Sequence, residues 1–291
     1  MTGKSPLVSV IIPTYRRENK LASCLDSIFR SDYKNTEVIV INDCPEEDLS
    51  LKLAKYRIKL VQHKSETRLA RSRNEGAELA KGGYLFFVDD DNVLAKDCIR
   101  LLLQEYRKHD GIGLLGPLMY DANGGIWFQG AKATWRTPNP RAVDRSELSK
   151  ELIETDAIPN AYFVKRKTFR KVGGEDYKTF PSHHADFDVA QRLKKEKHIS
   201  YIYTKARTVH DFGSVSTHRD PGRMYQTVKS NFIIEKRYAG RGAYTIFLLS
   251  FVPSHLLYYC LYIIPFKCSN RLQFYRSYMR GFSEGIRSKV R

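Results

Sequence analysis

The amino-acid sequence predicts an α/β fold with a Rossmann-like, mostly parallel sheet flanked by helices. Short apolar runs recur along the first hundred residues without polar alternation, which is typical of strands buried on both faces. Segments with apolar residues at helical spacing lie between these runs, and such alternation indicates a parallel sheet. The length of 291 residues suits one large domain with an appendage, or two domains of roughly 150 residues each.

The elements of the first hundred residues have clear boundaries. The first apolar run, residues 8–12 (VSVII), ends at Pro13, and Leu21, Leu25 and Ile28 then recur at helical spacing. The remaining predicted elements of this part are strands at 37–41, 58–61 and 84–88 and a helix over 68–80.

The pattern changes after residue 110. From Gly111 to about Pro140 the helical period is lost and glycine is frequent, so we expect irregular strands and loops beside the sheet. Further along, the sequence predicts strands at 158–164 and 199–203, and helices over 167–172 and from the histidine pair at 183–184 to about 197.

Positive charge is concentrated at the C-terminal end. The chain has 49 Lys+Arg against 32 Asp+Glu, a formal charge of +17, and residues 205–291 contribute +11 of it. The apolar content of 42% excludes wholesale disorder, because it provides enough surface to offset chain entropy. Five cysteines at scattered positions with no CxxC pair argue against a disulfide framework or a thiolate zinc site and favour a reducing compartment. The apolar run near the N-terminus is too short for a secretory signal, so the chain is expected in the cytoplasm.

Residues 243–266 contain no Asp, Glu, Lys or Arg. A spanning helix needs about 20 such residues, but the basic tail that follows would then lie outside the cell, against the positive-inside tendency. Pro253 and His255 near the middle suit a broken or interfacial segment, with the basic residues on anionic headgroups. We therefore expect monotopic or re-entrant association with the membrane; a true span and an amphipathic helical cap on a soluble domain remain the alternatives.

Polar residues follow three of the predicted strands, where ligands of open α/β sheets bind. They are Thr14 and Tyr15, Asn42 and Asp43, and the three aspartates at 89–91. Neither GxGxxG nor GxxxxGK[ST] follows a strand, so a bound nucleotide would need another balance for its phosphate charge. A cation held by carboxylates is the obvious candidate.

The three consecutive aspartates point to a metal. Alternate residues of an extended segment share a face, so Asp89 and Asp91 can point to one site, where they would repel unless protonated or bridged by a cation. A small number of hard oxygen ligands from the protein, completed by phosphate oxygens, is the ligand set that fits Mg²⁺ or Mn²⁺. The structural alternative is that Asp91 or Asn92 caps a helix beginning near Ala95.

Four stretches together resemble family 2 glycosyltransferases of the GT-A fold, most like the rhamnosyl- and galactofuranosyl-transferase branch. They are VSVIIPTYRR, VIVINDCPEED, RLARSRNEGAELAKGGYLFFVDDDN and VGGEDYKTFPSHHADFDVAQRLKKEK, within a match over about residues 7–240. The resemblance implies a GT-A domain over 1–240, with a nucleotide-binding half to about 110 and an acceptor half from 111, followed by a membrane-associated region at 241–291. It implies inverting transfer of a sugar from a nucleotide-diphosphate donor to a glycan or lipid-linked glycan at the cytoplasmic face of the membrane, with Mn²⁺ or Mg²⁺ at a DXD motif.

The resemblance also assigns roles to individual residues on the donor side. It places Pro13 and Tyr15 at the nucleobase, Asp43 as an acceptor for the base, Arg73 near the donor, Asp89 on the ribose with Asp90 beside it, and Asp91 on the metal. His210 begins HDFGSVS, similar to the family's HxxGxS segment, and would return to the metal or the diphosphate; a structural or merely exposed histidine is the alternative. Arg219, Arg223 and Tyr225 resemble residues that close over phosphates.

On the acceptor side, the family's catalytic base is the aspartate of an (E)D motif opening a helix, which corresponds to Asp186 in ADFDVAQRL. Ala185 stands where glutamate is common, so no partner carboxylate is implied. An N-terminal cap is the alternative for Asp186, and compensation of the helix dipole the alternative for Asp188. Trp127, Trp135 and His184, with its neighbour His183, are candidate acceptor contacts; core tryptophans and simple loop histidines are the alternatives.

Two rival functions remain. A sugar nucleotidyltransferase usually begins with a glycine-rich, lysine-bearing loop after the first strand, and PTYRRENK lacks those glycines. A nucleic-acid-binding protein would account for the charge of +17, but that charge flanks an uncharged apolar segment, which membrane association explains better. We therefore expect no nucleic-acid partner, and homo-oligomerisation stays open.

Overall fold

The computed structural model describes residues 5–135, 137–211, 220–268 and 270–289. The chain divides into two compact units. The first comprises residues 1–131, 142–181 and 185–212, and the second comprises residues 132–141, 182–184 and 213–291. The predicted division at residues 110 and 240 stays a prediction.

The first unit is built on one large sheet. In chain order the strands are β1 (Val8–Thr14), β2 (Thr36–Asn42), β3 (Lys59–Gln62), β4 (Tyr84–Val88), β5 (Asn92–Leu94), β6 (Ile112–Asp121), β7 (Ile126–Phe128), β8 (Ala131–Lys132), β9 (Arg141–Ala142), β10 (Leu152–Thr155), β11 (Ala161–Lys165) and β12 (Ile199–His210). The main path of the large sheet runs β10-β12-β6-β11-β4-β1-β2-β3, with β5 paired to β12 and β7 to β6, whereas β8 and β9 form a separate two-stranded sheet. The α/β fold class predicted from the sequence is confirmed.

The predicted parallel arrangement holds for the first four strands. β1 lies between β2 and β4, and β3 pairs with β2, all in parallel. Every residue of β1 is buried, as expected of a strand covered on both faces. The sheet becomes mixed beyond β4, because β11 runs antiparallel to both β4 and β6.

The expectation of irregular structure from Gly111 to Pro140 is wrong for its first part. β6 is a continuous strand of ten residues within the sheet, between β12 and β11, and its first eight residues are buried. Its glycines are required by close packing: a Cβ on Gly116 would lie 2.5 Å from the Ile158 side chain, and one on Gly113 would lie 3.1 Å from the carbonyl oxygen of His198. Glycine here marks tight contact with neighbours.

Helices pack against this sheet. They are α1 (Glu18–Phe29), α2 (Leu69–Leu79), α3 (Cys98–Tyr106), α4 (Arg166–Lys171) and α5 (Ala185–Lys195), with a 3₁₀ turn at Arg145–Ser149. The helix expected near Ala95 begins at Cys98 and is preceded by Asp97. Asn92 lies in β5, so neither it nor Asp91 caps that helix. The capping alternative for the aspartates is therefore wrong.

In its described residues the second unit contains three long helices: α6 (Pro221–Tyr238), α7 (Arg241–Lys267) and α8 (Arg271–Arg287). α6 and α8 approach closely at Gly281 and Gly285, where a Cβ would meet the Tyr225 carbonyl oxygen at 2.6 Å and the Phe232 side chain at 2.8 Å. An apolar core that includes Phe232, Phe247 and Phe274 joins the three helices.

α7 is continuous through Pro253. A π-helical turn at Phe247–Phe251 ends two residues before this proline, and a second one occupies Tyr259–Ile263. A wider turn accommodates a residue that lacks a backbone N–H group, so the helix need not break. By length and composition α7 could cross a membrane, and it is mostly exposed in the structure.

Candidate active site

The three aspartates stand at the carboxyl end of β4, beside the end of β1. The hydroxyl of Thr14 donates to Asp90 Oδ2 at 2.7 Å. One guanidinium nitrogen of Arg17, Nη1, lies 2.7 Å from Asp91 Oδ2 and 3.2 Å from Asp90 Oδ1. The structure therefore gathers both carboxylates around a single arginine nitrogen.

Strand pairing brings His210 to the aspartates across more than a hundred residues of sequence. β5 pairs with the end of β12 so that His210 lies opposite Asn92, and Asp211 donates its backbone N–H to the carbonyl of Asp91 at 2.8 Å. His210 Nε2 lies 3.3 Å from Asp91 Oδ1 and 2.9 Å from the Asn160 side-chain nitrogen. His210 thus lies beside the aspartates of the DXD motif, while its predicted role at the metal or the diphosphate stays a prediction, and residues 212–216 of its HxxGxS-like segment lie outside the described residues.

Burial and charge act differently on the three aspartates. Burial raises the pKa of Asp89 and brings that of Asp90 to about 7, although the neighbouring arginines act in the opposite direction. Burial also acts to raise the pKa of Asp91, but His210 and Arg17 outweigh it and hold that pKa below its ordinary value. Asp91 is therefore an ionised carboxylate at neutral pH, as a metal ligand must be.

The donor set fits a divalent cation that shares its ligands with a phosphate. Asp91 Oδ1 is buried, and its neighbour among the described residues is the His210 ring, with Nε2 at 3.3 Å. Together with His210 Nε2, it offers one hard oxygen and one imidazole nitrogen. No group of three His, Cys, Asp or Glu side chains in the described ranges could hold an ion alone. An ion at this place would need further oxygen ligands, which a nucleotide diphosphate supplies.

Arg73 joins the aspartates to a second acidic group. Its guanidinium lies 2.6 Å from Asp89 Oδ1 and 3.1 Å from Glu175 Oε1, and the Tyr162 hydroxyl donates to the same Glu175 oxygen at 2.5 Å. Arg73 and Glu175 are almost completely buried. A buried arginine between two carboxylates fixes their positions, since removing it would leave uncompensated charge in the interior.

Asp186 is the second residue of α5, so it lies within the first helical turn and not at the cap position before it. Burial and the nearby Glu175 raise the pKa of Asp186 to about 6, while Arg73 and backbone N–H groups of the first turn act to lower it. Glu175 thus supplies a neighbouring carboxylate that the sequence reading, with Ala185 in the usual glutamate position, did not provide. In the sequence, Glu175 is the glutamate of the VGGEDY stretch that carries part of the family resemblance.

Asp188 has a structural role in the same helix. It is fully buried, and its Oδ2 accepts a hydrogen bond from Arg192 Nε at 2.8 Å. Arg192 also donates to the carbonyl oxygens of Val172 and Gly174. Asp188 therefore anchors α5 to the turn after α4, which goes beyond compensation of the helix dipole.

Asp43 is fixed by the loop that follows β3. Its Oδ1 accepts from the backbone N–H and the hydroxyl of Thr67 at 2.7 and 2.9 Å, and its Oδ2 accepts from the Arg68 N–H at 2.8 Å. The His63 ring lies between Asp43 and Glu75, with Nδ1 and Nε2 at 2.8 and 2.7 Å from their carboxylates. The carboxylate predicted to accept a hydrogen bond from the nucleobase is thus oriented by the protein itself, and its Oδ2 atom has fewer partners than its Oδ1 atom.

The other predicted residues fall into two groups. Pro13 is buried within β1, Tyr15 is 39% exposed just beyond it, and the Trp127 ring lies 4.3 Å from the His210 ring between centroids. Trp135 and His184 belong to the second unit, where Trp135 packs against Tyr238 and His184 Nε2 lies 2.9 Å from the Asn231 side-chain oxygen. On α6, the Tyr225 hydroxyl donates a hydrogen bond to the Glu284 carboxylate. Burial, together with the positive charge of Arg223, lowers the pKa of His183 to about 3. Arg219 lies outside the described residues.

The sequence reading missed several residues that complete this site. They are Arg17 at the aspartates, Asn160 at the histidine, Tyr162 and Glu175 at Arg73, and His63 and Thr67 at Asp43. Arg17 lies within the quoted PTYRR stretch, but only the fold places it against the aspartates.

Curated proteins resemble this chain over part of its length. A protein of Haemophilus influenzae, described as an uncharacterized glycosyltransferase, is 27% identical over 171 residues, which are 58% of this chain and 56% of that protein. The chain spans about half the length of the curated relatives it matches.

Solved structures share the fold at low sequence identity. GalNAc-T7 with UDP, GalNAc and Mn²⁺ matches with a TM-score of 0.68 at 16% identity, over 98% of this chain and 56% of that one. The mannosyltransferase PcManGT from Pyrobaculum calidifontis, in complex with GDP-Man and Mn²⁺, matches with a TM-score of 0.59 at 15% identity, over 98% and 76%. The predicted GT-A fold is thereby confirmed. The family model for glycosyl transferase family 2 matches residues 9–173, more than half of the sequence, and the chain therefore belongs to that family.

Proposed function

We propose that the protein is a metal-dependent inverting glycosyltransferase, which moves a sugar from a nucleotide-diphosphate donor to a hydroxyl group of a glycan or lipid-linked glycan. The observation that carries the proposal is the pairing of two different acidic centres in one unit. One is Asp91 with His210, 3.3 Å apart and suited to a cation. The other is Asp186, a partly buried carboxyl group suited to removing a proton near neutral pH.

The donor side follows from the strand ends. Pro13, Tyr15 and the oriented carboxylate of Asp43 would hold the base, and Asp89, fixed by Arg73, would accept from the ribose hydroxyls. Asp91 and His210 would hold Mn²⁺ or Mg²⁺ together with the diphosphate. When bound, the cation supplies charge stabilisation to the leaving diphosphate as the glycosidic bond breaks.

The transfer itself would use Asp186 as the base. With a pKa of about 6 it is mostly ionised at neutral pH and still basic enough to accept a proton. It takes the proton of the acceptor hydroxyl while that oxygen bonds to the anomeric carbon, on the face opposite the diphosphate. The bond from that carbon to the diphosphate breaks, and the nucleoside diphosphate leaves with the electron pair. Attack from the opposite face inverts the anomeric centre.

A panel of nucleotide sugars tests this function. We expect one UDP-, dTDP- or GDP-sugar to raise the melting temperature with Mn²⁺ present and to lose most of this effect in EDTA, because the cation links the diphosphate to Asp91. dTDP-rhamnose and UDP-galactofuranose test the branch that the sequence resembles. Failure of every nucleotide sugar to bind would contradict the proposal. Formation of a nucleotide sugar and pyrophosphate from a sugar 1-phosphate and a nucleoside triphosphate would favour the nucleotidyltransferase alternative.

We further propose that the enzyme works on the cytoplasmic face of the membrane, where a lipid-linked acceptor is found. Ten of the fourteen exposed large hydrophobic side chains in the described chain lie on α7 and α8. On α8, Leu272, Met279 and Ile286 recur every seven residues on one exposed face. Exposed arginines at 276 and 287 accompany them. An apolar stripe with basic flanks is typical of helices that lie in a membrane interface.

Vesicle binding tests this location. Replacing both Leu249 and Leu261 of α7 by Glu is expected to weaken binding to vesicles that contain anionic phosphatidylglycerol by about a hundredfold or more, since each leucine loses roughly 1.5–3 kcal/mol of burial. Leu51, which is 90% exposed in the first unit, provides the matched control, and Leu51→Glu should bind like the wild type. Equal binding of all three proteins in a flotation assay would contradict the proposed surface.

A further inference from the structure

Arg17 occupies an unusual position at the acidic strand ends. Its Nη1 atom contacts Asp91 Oδ2 at 2.7 Å and Asp90 Oδ1 at 3.2 Å. The two carboxylates are almost fully buried, whereas the Arg17 side chain is 35% exposed. Among the described residues, Arg17 forms ion pairs with these two aspartates alone.

A guanidinium group in this place supplies positive charge to the two carboxylates, as a divalent cation would. It neutralises adjacent carboxylates that would otherwise repel one another. Asp91 now faces Arg17 through Oδ2 and His210 through Oδ1. A cation that binds Asp91 must share or displace this positive charge, so the arginine opposes metal binding as long as it stays where it is.

A nucleotide diphosphate would change that balance. Its oxygens offer Arg17 a new anionic partner, and guanidinium groups bind phosphate in a bidentate manner. The partly exposed side chain has solvent on one side, so it is free to turn from the aspartates toward a ligand.

We propose that Arg17 is a built-in counter-ion that competes with the metal for Asp91 and moves to the diphosphate when the donor binds. This inference rests on the proposed function. Its consequence is cooperative binding: the metal alone binds weakly because it must displace Arg17, and the nucleotide strengthens metal binding by drawing Arg17 away. By linkage, the metal strengthens nucleotide binding by the same factor.

Binding measurements without turnover test this role. Mn²⁺ affinity is measured by electron paramagnetic resonance without nucleotide, and UDP affinity by calorimetry with and without Mn²⁺. Relative to the wild type, Arg17→Gln should bind Mn²⁺ alone about tenfold more tightly, and the gain in UDP affinity caused by Mn²⁺ should shrink by a similar factor. Arg17→Lys keeps the charge and should stay close to the wild type in Mn²⁺ affinity.

Arg100 provides a matched control, because it is 37% exposed and pairs with Asp32 at 2.7 Å on another part of the surface. Arg100→Gln should leave both affinities unchanged. Unchanged or weaker Mn²⁺ binding by Arg17→Gln, with the fold verified by circular dichroism, would overturn the role of Arg17 alone. Absence of any coupling between Mn²⁺ and UDP in the wild type would overturn the proposed use of a metal and the role of Arg17 with it.

Discussion

Asp186→Asn should abolish sugar transfer while leaving donor binding intact. The amide keeps the size of the carboxyl group but cannot accept the hydroxyl proton, so we expect kcat to fall by roughly 10²–10⁴-fold, the usual contribution of a positioned base. Donor affinity should change little, because the carboxylates proposed to bind the nucleotide and metal are on other elements. Initial rates with saturating donor, together with a direct measurement of donor binding, separate the two effects.

The pH dependence of the wild type gives an independent check on the same group. Asp186 must be ionised to act as a base, and its pKa is raised to about 6. Transfer should therefore be fully active above this value and be lost as the pH falls through it. Asp188→Asn is the matched control on the same helix: it should lower the melting temperature through loss of the Arg192 contact, while the folded enzyme keeps its activity. Full activity of Asp186→Asn would show that another group takes the proton.

The sequence predicted the first four strands of the sheet well because their signals are local. A strand such as β4 and the aspartates after it are continuous in sequence, so their position at the sheet edge follows from the α/β pattern. β6 was misread because glycines that allow close packing look like turn residues when the neighbours are unknown. Only the tertiary structure shows that Gly116 lies against the side chain of Ile158, in the connection between β10 and β11.

The contacts between distant elements could not be read from sequence. His210 was proposed from a family pattern, but its distance to Asp91 depends on the pairing of β5 with β12. Glu175 and Arg17 are ordinary charged residues in sequence, and their significance comes from the burial of the groups they meet. Electrostatic roles of this kind depend on distance and desolvation, neither of which spacing along the chain supplies.

The orientation of Asp43 has a similar origin. The prediction that it accepts from the base rests on the resemblance, whereas the structure shows why the carboxylate would be ready to do so. Backbone N–H groups of Thr67 and Arg68 hold its two oxygens, and the Thr67 hydroxyl and His63 add two more contacts. A fixed acceptor loses little conformational entropy when a ligand binds, so it favours affinity through pre-organisation.

Asp91→Asn should remove the dependence of donor binding on Mn²⁺. The substitution keeps the side-chain volume but deletes the negative charge that, with His210, would hold the cation beside the diphosphate. We expect the Mn²⁺-induced increase in nucleotide affinity to disappear and kcat/KM to fall by at least about 10³-fold, because stabilisation of the leaving group by a metal amounts to several kcal/mol. Calorimetry of the nucleotide with and without Mn²⁺ measures the first effect, and initial rates measure the second.

The melting temperature of Asp91→Asn distinguishes loss of metal binding from unfolding of the protein. The contacts with His210 and Arg17 hold the pKa of Asp91 below its ordinary value, so its charge stabilises the fold at neutral pH, and this contribution is lost only as the pH falls through that lowered pKa. Asp91→Asn should therefore melt at a slightly lower temperature and remain folded in the assay. Asp97→Asn, at an exposed carboxylate just before α3, should keep both activity and metal dependence. Retention of Mn²⁺-dependent nucleotide binding by Asp91→Asn would place the metal on other ligands, because a neutral amide has lost the charge on which this assignment depends.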